Sequence, residues 1–112
     1  MKLAVIGSRN IKNIALEEYI SEDVDEIVSG GAVGVDLCAA EYARKNGLKL
    51  TEFFPQYNRY GRAAPIMRNK EIVEYADKVI AFWDGSSRGT LSVIKYAEKI
   101  SKRCDVIILA KE

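Results

Sequence analysis

Short apolar runs alternate along the chain with longer amphipathic stretches, and most of the runs are followed closely by small, hydroxylated or cationic residues. The runs predict strands near residues 2–6, 25–29, 49–54, 78–83 and 105–109, and the amphipathic stretches predict helices near 13–22, 34–46, 63–76 and 88–102. Val5-Ile6, Val79-Ile80-Ala81-Phe82 and Val106-Ile107-Ile108-Leu109 are continuous apolar runs, the pattern of parallel strands covered on both faces. In the last helix Leu91, Ile94 and Ala97 form one stripe with Val93 and Ile100 beside it, while Lys95, Lys99 and Lys102 lie opposite. Gly47, after Lys45-Asn46, is a helix stop. With no repeat, linker or low-complexity stretch, residues 1–112 read as one α/β domain. Strand–helix alternation with right-handed crossovers gives a three-layer sandwich around a five-stranded parallel sheet of order 3-2-1-4-5.

In that order the clusters after the strands share one edge of the sheet. They are Gly7-Ser8-Arg9-Asn10, Gly30-Gly31-Ala32-Val33-Gly34-Val35-Asp36, Tyr60-Gly61-Arg62 with Arg68-Asn69, and Gly85-Ser86-Ser87-Arg88-Gly89-Thr90. Ligands of open α/β sheets bind at the carboxyl ends of the strands, where the strand order reverses. Glycines let backbone approach an anion closely, and helix N-termini supply unpaired N–H groups. The residues expected to contact a ligand are Gly7, Ser8, Arg9, Gly30, Gly31, Gly34, Asp36, Tyr60, Arg62, Arg68, Asn69, Ser86, Ser87, Arg88, Gly89 and Thr90. Neither Gly loop is G-x-G-x-x-G or a Walker loop with its lysine, so a standard dinucleotide or ATPase site is not indicated. Asp36 suits an N-cap as well as a ligand contact, and so do Ser87 and Thr90. Tyr57, Tyr60 and Trp83 suit packing lids as well as platforms for a base.

Bulk properties narrow the class. At 48% hydrophobic and 29% charged, the composition is that of a soluble globular domain, and no run reaches membrane-spanning length. Met1-Lys2 leads directly into a strand-like run, which argues against a secretory signal. Cys38 and Cys104 have neither metal nor disulfide spacing, so a reducing cytoplasm is expected and the thiols read as small hydrophobes. A net charge of +1 gives little support to a nucleic-acid backbone binder. Of the seven arginines, Arg9, Arg59, Arg62, Arg68 and Arg88 lie in or beside the loop clusters, and arginine suits bidentate phosphate contacts. The chain has no histidine, which removes the commonest general base, and no metal site is expected. Asp36 and Asp84, with Arg68, are the candidates for any catalytic chemistry.

These motifs together resemble the YspA-like domain family of the superfamily that joins the Smf/DprA DNA-processing proteins and the LOG-type phosphoribohydrolases (SLOG). Gly7-Ser8-Arg9, Ser29–Asp36 with Ala39-Ala40, Tyr60–Ala64, Met67-Arg68-Asn69, Ala76-Asp77, Ala81–Trp83 and Ser87–Thr90 carry the likeness, which runs essentially end to end. The resemblance implies a Rossmann-like fold, a nucleotide or nucleotide-derived ligand and a homodimer. LOG enzymes have a catalytic glutamate where this chain has Ser92; Arg68 matches their arginine. The expected function is therefore a nucleotide-binding sensor or carrier, with a small-molecule partner and no membrane partner. A nucleotide-processing hydrolase and a single-stranded nucleic-acid binder are the alternatives. Arg68, read as a helix-start side chain facing the cleft, is expected to hold ligand and to contribute little to the fold.

Overall fold

A computed structural model describes residues 1–109. Its strands are β1 (Lys2–Gly7), β2 (Glu26–Ser29), β3 (Lys49–Glu52), β4 (Lys78–Trp83) and β5 (Cys104–Ile108). They form one all-parallel sheet in the order β3-β2-β1-β4-β5. The helices are α1 (Val35–Lys45), a single turn α2 (Tyr57–Tyr60), α3 (Ala64–Tyr75) and α4 (Arg88–Lys99). The architecture is a Rossmann-like α/β sandwich.

Period-two alternation splits each inner strand between two cores. Leu3, Val5, Ile27, Ile80 and Phe82 face α1, where Val35, Ala39 and Ala43 pack. Ala4, Ile6, Val28, Val79 and Ala81 face α3 and α4, where Ile72, Val73, Val93 and Ala97 pack. The helices stop where predicted by local chemistry. Gly47 takes φ +65° after α1, and Leu48 N–H bonds the Ala43 carbonyl at 2.9 Å. Pro65 sits in the first turn of α3, where its missing N–H costs little.

Two expectations are corrected. Residues 13–22 do not form an α-helix; among them only Leu16–Glu18 are helical, as a single 3₁₀ turn. Ile11, Leu16 and Val24 are all drawn into the α1-side core, and no side chain caps the Leu16 turn. An isolated helix this short is marginal, so tertiary burial overrides its periodicity. In addition, β5 is not covered on both faces. Cys104 packs against the α3–α4 core, but Val106 and Ile108 on the same face are exposed, Ile108 at 68%. Among the described residues, no helix is long and apolar enough to cross a membrane.

Two isoleucines on α3 give a test of this layering. Ile72 is fully buried whereas Ile66 is 51% exposed. Ile72→Val is expected to lower the unfolding free energy by about 1 kcal/mol and Ile66→Val by less than about 0.5 kcal/mol, read from urea denaturation midpoints.

Candidate functional site

At the carboxyl edge of the sheet, the ends of β1, β2 and β4 and the first turns of α1, α3 and α4 enclose a cavity of about 480 Å³. Of the residues expected to contact a ligand, Gly7, Ser8, Arg9, Gly30, Asp36, Arg68, Asn69, Ser87, Gly89 and Thr90 line it. Gly31, Gly34, Tyr60, Arg62, Ser86 and Arg88 do not. Ile6, Ile72 and Val93 supply an apolar floor that loop composition did not indicate, and Asn10, Ala32, Pro65 and Asp84 complete the wall.

Each loop owes its shape to a specific contact. Ser8 is buried where β1 and β4 part: its N–H bonds the Phe82 carbonyl at 3.0 Å, and its Oγ accepts the Asp84 N–H at 3.2 Å. Asp84 Oδ1 in turn accepts the N–H groups of Ser86 and Ser87 at 2.9 and 2.8 Å, folding the loop into a turn. Trp83 Nε1 donates to the Ser87 carbonyl at 3.0 Å, so this indole props the loop and does not line the cavity. Ser87 is the N-cap of α4; its Oγ accepts from Thr90 N–H at 3.4 Å. The first helical amides have no partner within the helix, so the N-terminal turn of α4 presents N–H groups and the positive end of its dipole at this edge. A Cβ on Gly89 would meet nothing within 4 Å, so the space above that turn is open.

The glycines of the β2–α1 loop act differently from one another. Gly34, at φ +76°, lets α1 start against β1's loop: a Cβ there would lie 2.5 Å from the Arg9 carbonyl oxygen. Gly31 lies under the Phe54 ring, outside the cavity. Gly30 faces the chemistry. A Cβ there would lie 2.8 Å from Arg68 Nη1 and 3.0 Å from Asp36 Oδ2.

Asp36 and Arg68 thus flank one glycine without forming an ion pair within 4.0 Å among the described residues. Asp36 is 8% exposed, and its Oδ2 accepts the Ala32 N–H at 3.2 Å; it is not the N-cap of α1, a place held by Gly34. Burial raises the Asp36 carboxyl above its ordinary 3.8. The Ala32 amide and the charges of Arg68 and Arg9 oppose that rise, and Glu52 adds to it. Burial likewise lowers the proton affinity of Arg68, with Asp36 and Tyr57 opposing.

The expectation that Arg68 contributes little to the fold is corrected by its partners. Nη1 donates to the Gly30 carbonyl at 2.9 Å and reaches the Phe53 carbonyl at 3.4 Å, while Nε donates to Asn69 Oδ1 at 2.8 Å. The guanidinium therefore ties the ends of β2 and β3 to α3. Asn10 Oδ1 is buried without a hydrogen-bond partner among the described residues, an acceptor whose isolation is costly. Asn10 belongs to the β1 loop cluster in the sequence, but nothing local marked its oxygen as unpaired. Ser92 does not line this cavity but an adjacent groove between α3 and α4. Tyr57 and Tyr60 lie outside the cavity wall, with Tyr60 beneath the Arg59 guanidinium at 5.0 Å. Burial pushes the Cys104 thiol up to about 11, which disfavours its reactive thiolate form.

No protein-family model matches the chain, and neither the curated proteins nor the solved structures contain a match to it.

Two substitutions test this geometry. Arg68→Ala is expected to lower the unfolding free energy by about 2 kcal/mol, because it strips charge-assisted bonds from two loop carbonyls; Arg68→Lys, lacking the planar fork, recovers only part. Asp36→Asn is expected to raise stability at pH 7. The folded-state carboxyl titrates above 3.8, so the native state binds more protons and wild-type stability falls as pH rises through that window. The gain from Asp36→Asn therefore vanishes below about pH 4, as thermal unfolding across pH will register.

Proposed function

We propose that this domain binds a nucleotide or nucleotide-derived small molecule in the carboxyl-edge cavity and acts as a sensor or carrier. The observation that carries the reading is the convergence of two strand–loop–helix junctions on one cavity that also holds Arg9 and Arg68. Open α4 amides, the Thr90 hydroxyl and the two guanidiniums together suit a phosphate. The apolar floor of Ile6, Ile72 and Val93 suits a ring face, and Asp36 and Asn10 offer acceptors for hydroxyl or amino groups. The volume of about 480 Å³ is in the range of small-ligand sites. This reading agrees with the resemblance to the SLOG superfamily and carries with it a cytoplasmic homodimer as a further expectation.

One observation favours a second reading, hydrolysis of an N-glycosidic or phosphate bond. Asp36 is a buried carboxyl with raised proton affinity at the cavity wall, the property of a general acid or base. Asp84 is less suited, since its Oδ1 is committed to the turn before α4. A serine at position 92 supplies no carboxylate, so a LOG-type reaction lacks its usual charge stabilisation.

Arg9 is exposed, so Arg9→Ala should leave the apo melting temperature unchanged. In a thermal-shift screen of AMP, ADP, ADP-ribose, NAD and cyclic nucleotides, at least one should stabilise the wild type. Arg9→Ala should weaken it about tenfold while leaving nucleoside binding unaffected. No shift with any of them would overturn the proposal. Release of free base and ribose 5-phosphate from AMP, lost in Asp36→Asn, would establish the enzyme instead.

A further inference from the structure

Only half of the Asp36 carboxylate is engaged by the protein. The residue is 8% exposed and lines the cavity from the first turn of α1. Its Oδ2 accepts the Ala32 N–H at 3.2 Å, whereas its Oδ1 accepts no hydrogen bond among the described residues. Arg68, the cation that acts on it most strongly, directs Nη1 to the Gly30 and Phe53 carbonyls and Nε to Asn69 Oδ1. Nor is Oδ1 sealed in: among the described residues, the enclosed side-chain oxygen without a partner is Oδ1 of Asn10. Asp36 Oδ1 is therefore an unpartnered acceptor open to the cavity, on a side chain that is otherwise buried.

The chemistry of this atom narrows what it takes. A phosphate oxygen is repelled by it, and a cationic group is disfavoured by the charges of Arg68 and Arg9 nearby. A neutral donor remains. Bidentate pairing with two N–H groups on a base edge needs both carboxylate oxygens, and Oδ2 is already taken. A single oxygen with two lone pairs suits two hydroxyls on neighbouring carbons instead. Position agrees with this. The apolar floor of Ile6, Ile72 and Val93 belongs to the α3–α4 face of the sheet, on which α4 and its first turn also lie. Asp36 comes from α1, on the opposite face. A base on the floor and a phosphate at the α4 turn leave the sugar between them, with its hydroxyls toward Asp36. The ends of β2 and β4 are separated by β1 alone, two strand spacings or about 10 Å. That is the scale of one sugar phosphate with a hydrogen bond at each end.

We propose that Asp36 Oδ1 accepts the 2′- and 3′-hydroxyls of a ribose, which makes the ligand a ribonucleotide and Asp36 the residue that discriminates against deoxyribose. This rests on the nucleotide reading of the cavity. A deoxynucleotide would set a carbon against a desolvated, charged oxygen and displace the water that could otherwise reach it. Leaving such an acceptor unpaired costs more than the loss of one neutral bond, so selectivity exceeds what shape alone gives.

Isothermal titration of AMP, GMP, CMP and UMP against their 2′-deoxy and 3′-deoxy counterparts, on wild type and on Asp36→Asn, tests the subsite. In the variant the amide oxygen must stay on the Ala32 N–H, which puts the NH₂ where Oδ1 was. A charged acceptor is thereby replaced by a neutral donor at constant shape. On the wild type, each deoxy counterpart of a ribonucleotide that binds is expected to bind about tenfold more weakly. On Asp36→Asn the ribonucleotide and its deoxy counterparts should agree within about twofold, with a melting temperature at pH 7 no lower than that of the wild type. Equal wild-type affinities for the ribonucleotide and either deoxy counterpart would overturn the ribose subsite while leaving the cavity reading standing, and this arm needs no variant. A preference for ribose undiminished in a folded Asp36→Asn would overturn it equally. Failure of all the compounds to bind would overturn the cavity reading and the subsite together.

Discussion

Everything at the carboxyl edge depends on the pairing of β1 with β4. Parallel strands need crossovers, and the connection leaving β1 runs over the α1 face while α4, leaving β4, packs on the other. Two chains that part to opposite faces leave a gap between them, which the molecule closes at its base with the Ser8 bonds to Phe82 and Asp84. Those bonds leave the crevice open above and hold its walls in register. The α4 N-terminus, braced by Asp84, Trp83 and the Ser87 cap, is therefore aimed over a preformed space.

The opposite wall combines support and chemistry in the same side chains. Arg68 both ties β2 and β3 to α3 and brings positive charge to the cavity, while Asp36 braces Ala32 and is desolvated beside it. Burial weakens the charged form of each, yet they stay too far apart to cancel as an ion pair. The buried Asp36 carboxylate costs stability at neutral pH, whereas the bonds of Arg68 to Gly30 and Asn69 offset the burial of its guanidinium. A hydrogen is all that Gly30 can carry between them, so even a methyl group must push one of the two aside.

The division between apolar and charged faces on α3 and α4 belongs to the same picture. Their inner faces are apolar and bury the sheet, whereas the seam between their outer faces mixes lysines with Glu71, Glu74 and Glu98. The lysine stripe of α4 is readable from its spacing as a solvent face. Its approach to Lys70 and to Asn69 depends on how closely the two helices pack.

The sequence by itself determined the α/β class, the parallel strand order, the three long helices α1, α3 and α4 and the edge on which the Gly, Arg and Ser clusters gather. Those properties follow from period and turn chemistry, which act within a few residues, and from crossover handedness, which is the same for nearly every parallel strand–helix–strand unit. Tertiary structure alone decided the rest. Residues 13–22 follow the burial of Ile11 and Leu16 rather than their own weak helical pattern. β5, at the sheet edge, has too little cover above Val106 and Ile108 for its apolar run to be fully buried. Arg68 meets Gly30 across 38 residues of sequence, and Asp84 meets Ser8 across 76. Contacts at that range have no local signature, because they arise only when packed layers bring distant loops to one edge.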